Sequence, residues 1–328
     1  MKNPNIAILG ATGAVGREMF KVLMERNFPI GKLKLLASAR SAGKVLDGHP
    51  VEEATKDSFR DMDIVLGAAS NDLAQEMAPY ITQAGAVFVD NSSAFRLRED
   101  VPLVVPEVNP EDVRKHRGII SNPNCSTIIS LVAIYALGAI SPIQSIVAST
   151  YQAVSGAGVG GIAELEEQVR SYAAGKPLQS EVFPYQIAFN LIPQIGSDTG
   201  NGYTSEEMKM QNEGRKILHL PDLKVSCTCV RVPVMRSHSI SLCVRTKEKI
   251  SVAAAREAIS QAKGCKLVDD LEAKEYPMPL YTSDQDLVFV GRIREDLVDS
   301  NALNLWCAGD QIRKGAATNA VQIAQLLL

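Results

Sequence analysis

The segment Asn5–Gly16, NIAILGATGAVG, constrains the fold more than any other part of this 328-residue chain. A short apolar strand, Asn5–Leu9, runs into the turn Gly10-Ala11-Thr12-Gly13-Ala14-Val15-Gly16, and an apolar-periodic helix follows from Ala14 to about Arg26. Small residues at such a turn let backbone amides approach a pyrophosphate, and the first turn of the helix offers unpaired N–H groups and the positive end of its dipole. The spacing is G-x-x-G-x-x-G, not the commoner G-x-G-x-x-G, so its weight comes from the strand–turn–helix context. A tight turn with close helix packing is the alternative reading.

A second strand at Leu33–Ala37 completes a βαβ opening. Further buried runs at Ile64–Ala68 and Ala86–Val89 flank a helical stretch carrying Leu73, Met77 and Ile81, which predicts a parallel, helix-covered sheet. After Asn124 the pattern changes. Cys125 opens the apolar stretch STIISLVAIYALGAI, a buried helix, and longer alternating strands follow at Ser145–Ala153, Lys224–Val232 and Ser239–Arg245, with helices near Ile162–Ala174, Ser205–Leu218 and Val252–Ala262. The closing segment Arg313–Leu328 has the spacing of an amphipathic helix and is expected to return to the first domain. The expected fold is therefore α/β: a doubly wound Rossmann-type dinucleotide domain (residues 1–124 plus 309–328) with an α+β domain on a large mixed sheet (125–308).

With 34 Lys and Arg against 37 Asp and Glu, the net charge of -3 gives no reason to expect nucleic acid or an anionic membrane as partner, so anion binding must be local. The start, MKNPNIAILGATG, does not read as a targeting segment and no run is long and apolar enough to span a bilayer, which predicts a cytoplasmic protein. The six cysteines lack paired metal-ligand spacings, so thiols are expected and no metal. Cys227 and Cys229 share one face of a strand, which reads as packing.

After the second strand, Ala37-Ser38-Ala39-Arg40-Ser41 has no acid for a ribose hydroxyl. Arg40, with Ser38 and Ser41, suits a 2′-phosphate and favours NADP; an ordinary solvated arginine is the alternative. Cys125, just past the Asn-Pro turn of SNPNC, begins its helix, where amide dipoles favour a thiolate. Taken alone, such a cysteine is more often packing than chemistry, and the upstream dinucleotide turn shifts that balance. In Val230-Arg231-Val232-Pro233-Val234-Met235-Arg236-Ser237-His238 the chain leaves one strand and begins another, so Arg231 and His238 can both face a cleft; a hydrogen-bonded structural histidine stands beside this reading. Glu206 and Lys209 lie three apart on a helix and share a face, as a solvated ion pair also would.

In this order, GATGAVG, ASARSAG, SNPNCST, TYQAVSGAG, YTSEEMKM, RVPVMRSH and DQIRKGAATNA resemble the aspartate-semialdehyde dehydrogenases, nearly end to end. The resemblance implies Cys125 as nucleophile, His238 as acid/base and Gln152 as the residue that positions the acyl intermediate. It implies Arg231 for the substrate α-carboxylate, Glu206 for its ammonium, and Arg96, Asn124 and Lys209 for phosphate. Ser155 and Gly156, in the glycine-rich stretch Ser155–Gly161, and Gln311 are implied near the cofactor NADP. The implied reaction is NADPH-dependent reduction of L-aspartyl 4-phosphate to L-aspartate 4-semialdehyde through a cysteine thioester, in biosynthesis of lysine and diaminopimelate, threonine, methionine and isoleucine. A neutral pH optimum would fit the usual titration range of His238. The family also implies a homodimer or tetramer whose interface comes from the second, catalytic and dimerisation, domain. Three alternatives remain at this stage. Another acyl phosphate such as N-acetylglutamyl phosphate would leave Glu206 without a cationic partner. A non-catalytic NADP-binding redox sensor would use Cys125 as a regulatory thiol. A cysteine hydrolase needs no dinucleotide turn.

Overall fold

A computed structural model describes residues 3–328 as two compact units, Met1–Asn124 with Ala316–Leu328, and Cys125–Gly315. The first unit contains β1 (Ile6–Leu9), α1 (Ala14–Glu25), β2 (Leu33–Ala37), β3 (Val45–Leu46), β4 (His49–Glu53), β5 (Ile64–Gly67), α2 (Asn71–Gln83), β6 (Val87–Asp90) and β7 (Ile119–Ser121). The second contains α3 (Cys125–Ile140), β8 (Ile143–Gln152), α4 (Gly158–Ala173), α5 (Ser205–Ile217), β9 (Lys224–Arg231), β10 (His238–Thr246), α6 (Val252–Gln261), β11 (Cys265–Leu267), α7 (Pro279–Thr282), β12 (Val288–Glu295) and β13 (Ala302–Gly309); α8 (Thr318–Gln325) closes the first.

The first sheet has seven strands in the order β3-β4-β2-β1-β5-β6-β7 and is parallel except for the short antiparallel pair β3–β4 at its edge. Strand β1 alternates between two cores. Ile6 and Ile8 pack with Met19 and Leu23 of α1 and Val321 and Ala324 of α8, whereas Ala7 and Leu9 pack with Met77 and Ile81 of α2. A strand covered on both faces must be apolar at every position, which is why IAIL reads as a continuous run. Arg26 Nε donates to Gln325 Oε1 at 3.1 Å, tying α8 to the end of α1.

The chain returns to this unit at Ala316, not at 309 as expected, because Asp310 and Gln311 still bond within the second unit. Nor is Arg313–Leu328 one regular helix. Its first turn, Arg313–Ala317, is π-wound, and in the same stretch Gly315 N–H donates to Asp310 O, five residues back, at 3.0 Å.

The second sheet is mixed and has the order β11-β12-β13-β10-β8-β9, with β8–β9 and β11–β12 parallel and the other pairs antiparallel. Its inner face, toward α3 and α5, is built in register rows: Ala148 between Leu242 and Cys227, then Thr150 between Ile240 and Cys229. Cys227 and Cys229 are buried with their sulfurs 3.7 Å apart, as packing on one strand face requires. The outer face is half-covered, with Tyr151 and Trp306 in tilted contact at 5.4 Å.

Helix α4 begins at Gly158, earlier than the expected Ile162, so most of the glycine-rich stretch is helix and not loop. Gly161 is needed there: a Cβ would meet Val154 O and approach Phe183.

Candidate active site

The inner-face rows of the second sheet end on chemistry. Gln152 closes β8 opposite Arg231 at the end of β9, and His238 opens β10 one step past the Ser239–Tyr151 pair. The strand registers therefore bring three sequence-predicted residues into one row. Glu206 and Lys209 join them from α5, whose start is fixed by a capping box: Glu207 N–H donates to Thr204 Oγ1 at 3.3 Å and Thr204 N–H to Glu207 Oε2 at 2.7 Å. Cys229 N–H also donates to Glu207 Oε1 at 3.0 Å, holding α5 on β9. Cys125 is the first residue of α3, half-buried, and Gly315 of the π-wound turn passes so close that a Cβ there would lie 2.9 Å from Cys125 Cβ.

Gln152 Nε2 donates to Glu206 Oε1 at 3.3 Å, and Glu206 Oε2 holds Lys209 Nζ at 2.7 Å. Ala153 N–H donates to His238 Nδ1 at 3.1 Å, and Ala153 O accepts from Arg231 Nη1 at 2.7 Å. Arg231 is buried, and burial lowers its pKa against the opposing pull of Cys125 and Glu206. His238 is fully buried and its pKa is pushed down to about 3, first by burial and then by the Arg231 charge, with Glu206 opposing. The imidazole is therefore neutral at pH 7, and its ordinary titration cannot produce the neutral optimum expected from the sequence.

Several further residues support the row. Gly156 faces the row directly: a Cβ there would lie 2.7 Å from Arg231 Nη1 and 3.2 Å from His238 Cε1. Phe183 stacks over the Arg231 guanidinium at 5.8 Å. Its segment is held by α4, where Glu164 accepts from Glu181 N–H at 2.8 Å and from Val182 N–H, and Gln168 Oε1 accepts from Ile187 and Ala188 N–H. Ser237, buried at φ +79, turns the chain into β10; its hydroxyl pairs with Thr282 Oγ1 at 2.5 Å. Gln311, expected at the cofactor, has both ends of its amide engaged here: Oε1 accepts from Ser237 N–H at 2.8 Å and Nε2 donates to Ser155 Oγ. Of these residues the sequence pointed to Ser155, Gly156 and Gln311, and it carried no cue to Phe183, Glu164, Gln168 or Thr282.

The remaining sequence-predicted residues lie on the first unit. Gly10 takes φ +86, and a Cβ there would run into Ala68 O; a Cβ on Gly16 would meet Gly10 O. Gly13 caps α1 without a side-chain hydrogen bond, and the first helical turn holds no acid, so the amides of Ala14, Val15 and Gly16 face a region suited to an anion. Gly10 and Ala11 N–H groups both donate to Leu36 O, at 2.8 and 3.0 Å, which sets the exposed Ser38–Arg40 turn beside the Thr12 turn; Ser41 is buried. Gly10 and Gly16 are required by close backbone packing, and a dinucleotide's phosphates suit the turn because the first α1 amides carry no side-chain cap and no acid stands beside them. Arg96 and Asn124 are both buried, and Arg96 Nη2 donates to Asn91 O at 2.9 Å. No group of His, Cys, Asp and Glu suited to a metal occurs among the described residues.

Residues 5–116 match the family model for the NAD binding domain of semialdehyde dehydrogenases, and residues 135–314 the model for their dimerisation domain. A curated aspartate-semialdehyde dehydrogenase from Synechocystis sp. is 50% identical over 327 residues, covering 98% of this chain and 97% of that one. The crystal structure of aspartate semialdehyde dehydrogenase II from Vibrio cholerae complexed with ASA superposes with a TM-score of 0.95 at 44% identity, covering 100% of this chain and 98% of that one. The structure of the Candida albicans enzyme with NADP superposes at 0.77, with 25% identity over 99% of this chain and 98% of that one.

Proposed function

Because the chain belongs to the aspartate-semialdehyde dehydrogenase family, we propose that it reduces L-aspartyl 4-phosphate to L-aspartate 4-semialdehyde with NADPH and release of phosphate. The observation that carries this reading is the row of Gln152, Arg231 and His238, with Glu206 beside it and Cys125 at the head of α3. Cys125 attacks the acyl carbon, phosphate departs and a thioester remains on Sγ. Arg231 binds the α-carboxylate through its guanidinium, and Glu206 binds the ammonium. Gln152 positions the acyl group and His238 serves the acyl oxygen; Arg96, Asn124 and Lys209 bind phosphate. NADPH, when bound, supplies the hydride that reduces the thioester. Cys125 then leaves as thiolate, releasing the semialdehyde.

Gly10, Thr12, Gly13, Ala14, Val15 and Gly16 cradle the pyrophosphate, Ser38, Arg40 and Ser41 take the 2′-phosphate, and Ser155, Gly156 and Gln311 border the nicotinamide. A carboxylate at Glu206 favours a charged amino acid over an N-acetylated one, whose amide brings no positive charge. The product serves biosynthesis of lysine and diaminopimelate, threonine, methionine and isoleucine. A second copy of the chain covers the outer face of the six-stranded sheet, where Val147 is exposed and Tyr151 and Trp306 half-exposed; the dimerisation-domain match supports this homodimer, from which a tetramer can be built. No helix among the described residues is long and apolar enough to cross a membrane; the cytoplasmic location is proposed from the biosynthetic role.

The test is absorbance of NADPH formed from NADP, aspartate semialdehyde and phosphate. Phosphate-dependent turnover is expected; absence of turnover would overturn the substrate assignment. In the same assay Arg40→Ala is expected to raise the KM for NADP roughly 10- to 100-fold while sparing that for NAD, because a charge-assisted bond to the extra phosphate is worth about 1.5–3 kcal/mol. Equal effects on both cofactors would remove Arg40 from the 2′-phosphate site.

A further inference from the structure

We propose that residues 179–192 form a strap that sets the substrate carboxylate site: Glu164 and Gln168 of α4 fasten it, and its Phe183 positions the Arg231 guanidinium. That the carboxylate goes to Arg231 rests on the reading above; the fastening rests on the geometry of the strap.

The buried stripe of α4 is Gly161, Glu164, Leu165 and Gln168, the i, i+3, i+4, i+7 spacing of a core-facing helix. Two of these residues are polar, and burying a polar side chain is unfavourable unless its hydrogen bonds are made. Here they are made to backbone that lacks a ladder of its own, since residues 179–191 belong to no helix or strand. Glu164 Oε2 accepts from Glu181 N–H at 2.8 Å and from Val182 N–H, and Oε1 accepts from Phe183 N–H at 3.4 Å. One turn further along, Gln168 Oε1 accepts from Ile187 and Ala188 N–H at 3.0 and 2.8 Å, and Nε2 donates to Gln179 O at 2.7 Å. A carboxylate that gathers three amides is a charge-assisted clamp. Beside it the helix is trimmed to make room: a Cβ at Gly160 would lie 3.3 Å from Val182 Cγ2, and one at Gly161 3.1 Å from Phe183 Cζ. Gly160 and Gly161 of the glycine-rich stretch therefore seat the strap.

The far end of the strap meets Arg231. Ile192 N–H donates to Arg231 O at 3.0 Å, and Arg231 N–H donates to Ile192 O at 2.9 Å, which fixes the strap to the end of β9. Between the two attachments, the Phe183 ring centroid stands 5.8 Å from Arg231 Cζ, within the reach of a cation–π attraction at a buried site. With Nη1 held by Ala153 O, Arg231 is constrained at its backbone, at one nitrogen and beside its guanidinium carbon. An arginine ordered beforehand loses less freedom when it binds a carboxylate. The strap therefore acts on affinity for that one substrate group, and leaves phosphate binding and hydride transfer to other residues.

The test is steady-state kinetics of Phe183→Leu, which keeps an apolar side chain beside Val154, Leu165, Ile187 and Ile192 and removes the ring. The KM for aspartate semialdehyde is expected to rise roughly tenfold, while kcat and the KM values for phosphate and NADP stay within about twofold of the intact chain. Phe183→Tyr keeps the ring and should stay within about threefold of the intact KM. A residue that only filled the core would lower the unfolding temperature without singling out one substrate. A rise shared by all three substrates, an unchanged KM in Phe183→Leu, or a tyrosine variant as weak as the leucine one would overturn the role of Phe183.

Glu164→Gln tests the fastening, and carries the proposal alone should Phe183→Leu not fold. Hydrogen exchange at the amides of residues 181–183 should quicken by about tenfold or more, and the KM for aspartate semialdehyde alone should rise. Unchanged exchange would overturn the clamp, and faster exchange with an unchanged KM would detach the strap from the carboxylate site. Because exchange needs no turnover, a chain inactive with aspartate semialdehyde would sink the functional reading, and exchange in Glu164→Gln would still decide the fastening.

Discussion

Replacing Cys125 with alanine is expected to remove phosphate-dependent NADP reduction, lowering kcat by roughly 10⁴-fold or more. Without Sγ no acyl group can be held covalently, and the residual rate rests on positioning and oxyanion stabilisation alone. The loss should be chemical, not structural: the first turn of α3 is anchored by buried residues such as Ile128 and Ile129, and alanine is smaller than the cysteine beside Gly315. Thermal unfolding measured alongside the assay separates the two. A variant that retains kcat within about tenfold of the intact chain would mean that the acyl group is carried elsewhere.

Arg231→Lys is expected to lower kcat/KM by about 10²- to 10³-fold, a large effect for a change that keeps the charge. Arg231 Nη1 is already committed to Ala153 O, and the guanidinium carbon lies 5.8 Å from the centroid of the Phe183 ring, so the group is held from two sides. A lysine ammonium is a point charge that cannot bond Ala153 and fork onto a carboxylate in the same geometry. Steady-state kinetics against aspartate semialdehyde check this, and a loss below tenfold would remove the carboxylate from Arg231. Arg231→Gln should in addition raise the His238 pKa above its folded value of about 3, since the Arg231 charge is one of the causes that depress it.

What the sequence disclosed was the part written in side-chain pattern and local conformation. Gly10, Gly13 and Gly16 follow an apolar strand, Cys125 heads an apolar helix, and Thr204 with Glu207 marks a helix start, so the elements that carry these residues were legible along the chain. Strands β12 and β13 were passed over because VFVGRIRE and ALNLWCAG only partly alternate, being buried on both faces at one end. The amide of Ala153 carries no sequence signature, since every residue but proline has one; only the register of β8 and β10 brings it to His238. Likewise Phe183 and Arg231 are far apart along the chain, and Glu164 and Gln168 unite them by binding backbone that no residue pattern marks. The start of α4 was missed because three glycines among its first four residues argue locally for a loop, whereas close packing of Gly161 on Val154 selects the helix.

The register rows of the second sheet also govern which genetic changes this protein can survive. Gln152, Arg231 and His238 sit on one face because each strand delivers its last or first residue with the correct parity. A substitution on the outer face of β8, β9 or β10 leaves that parity intact. Deleting a single codon within any of the three sends one member of the row to the opposite face, however conservative the residue lost. Strand length is thus under tighter hereditary constraint than strand composition, and viable insertions and deletions belong in exposed connections such as Asp198–Gly202, where no row is broken.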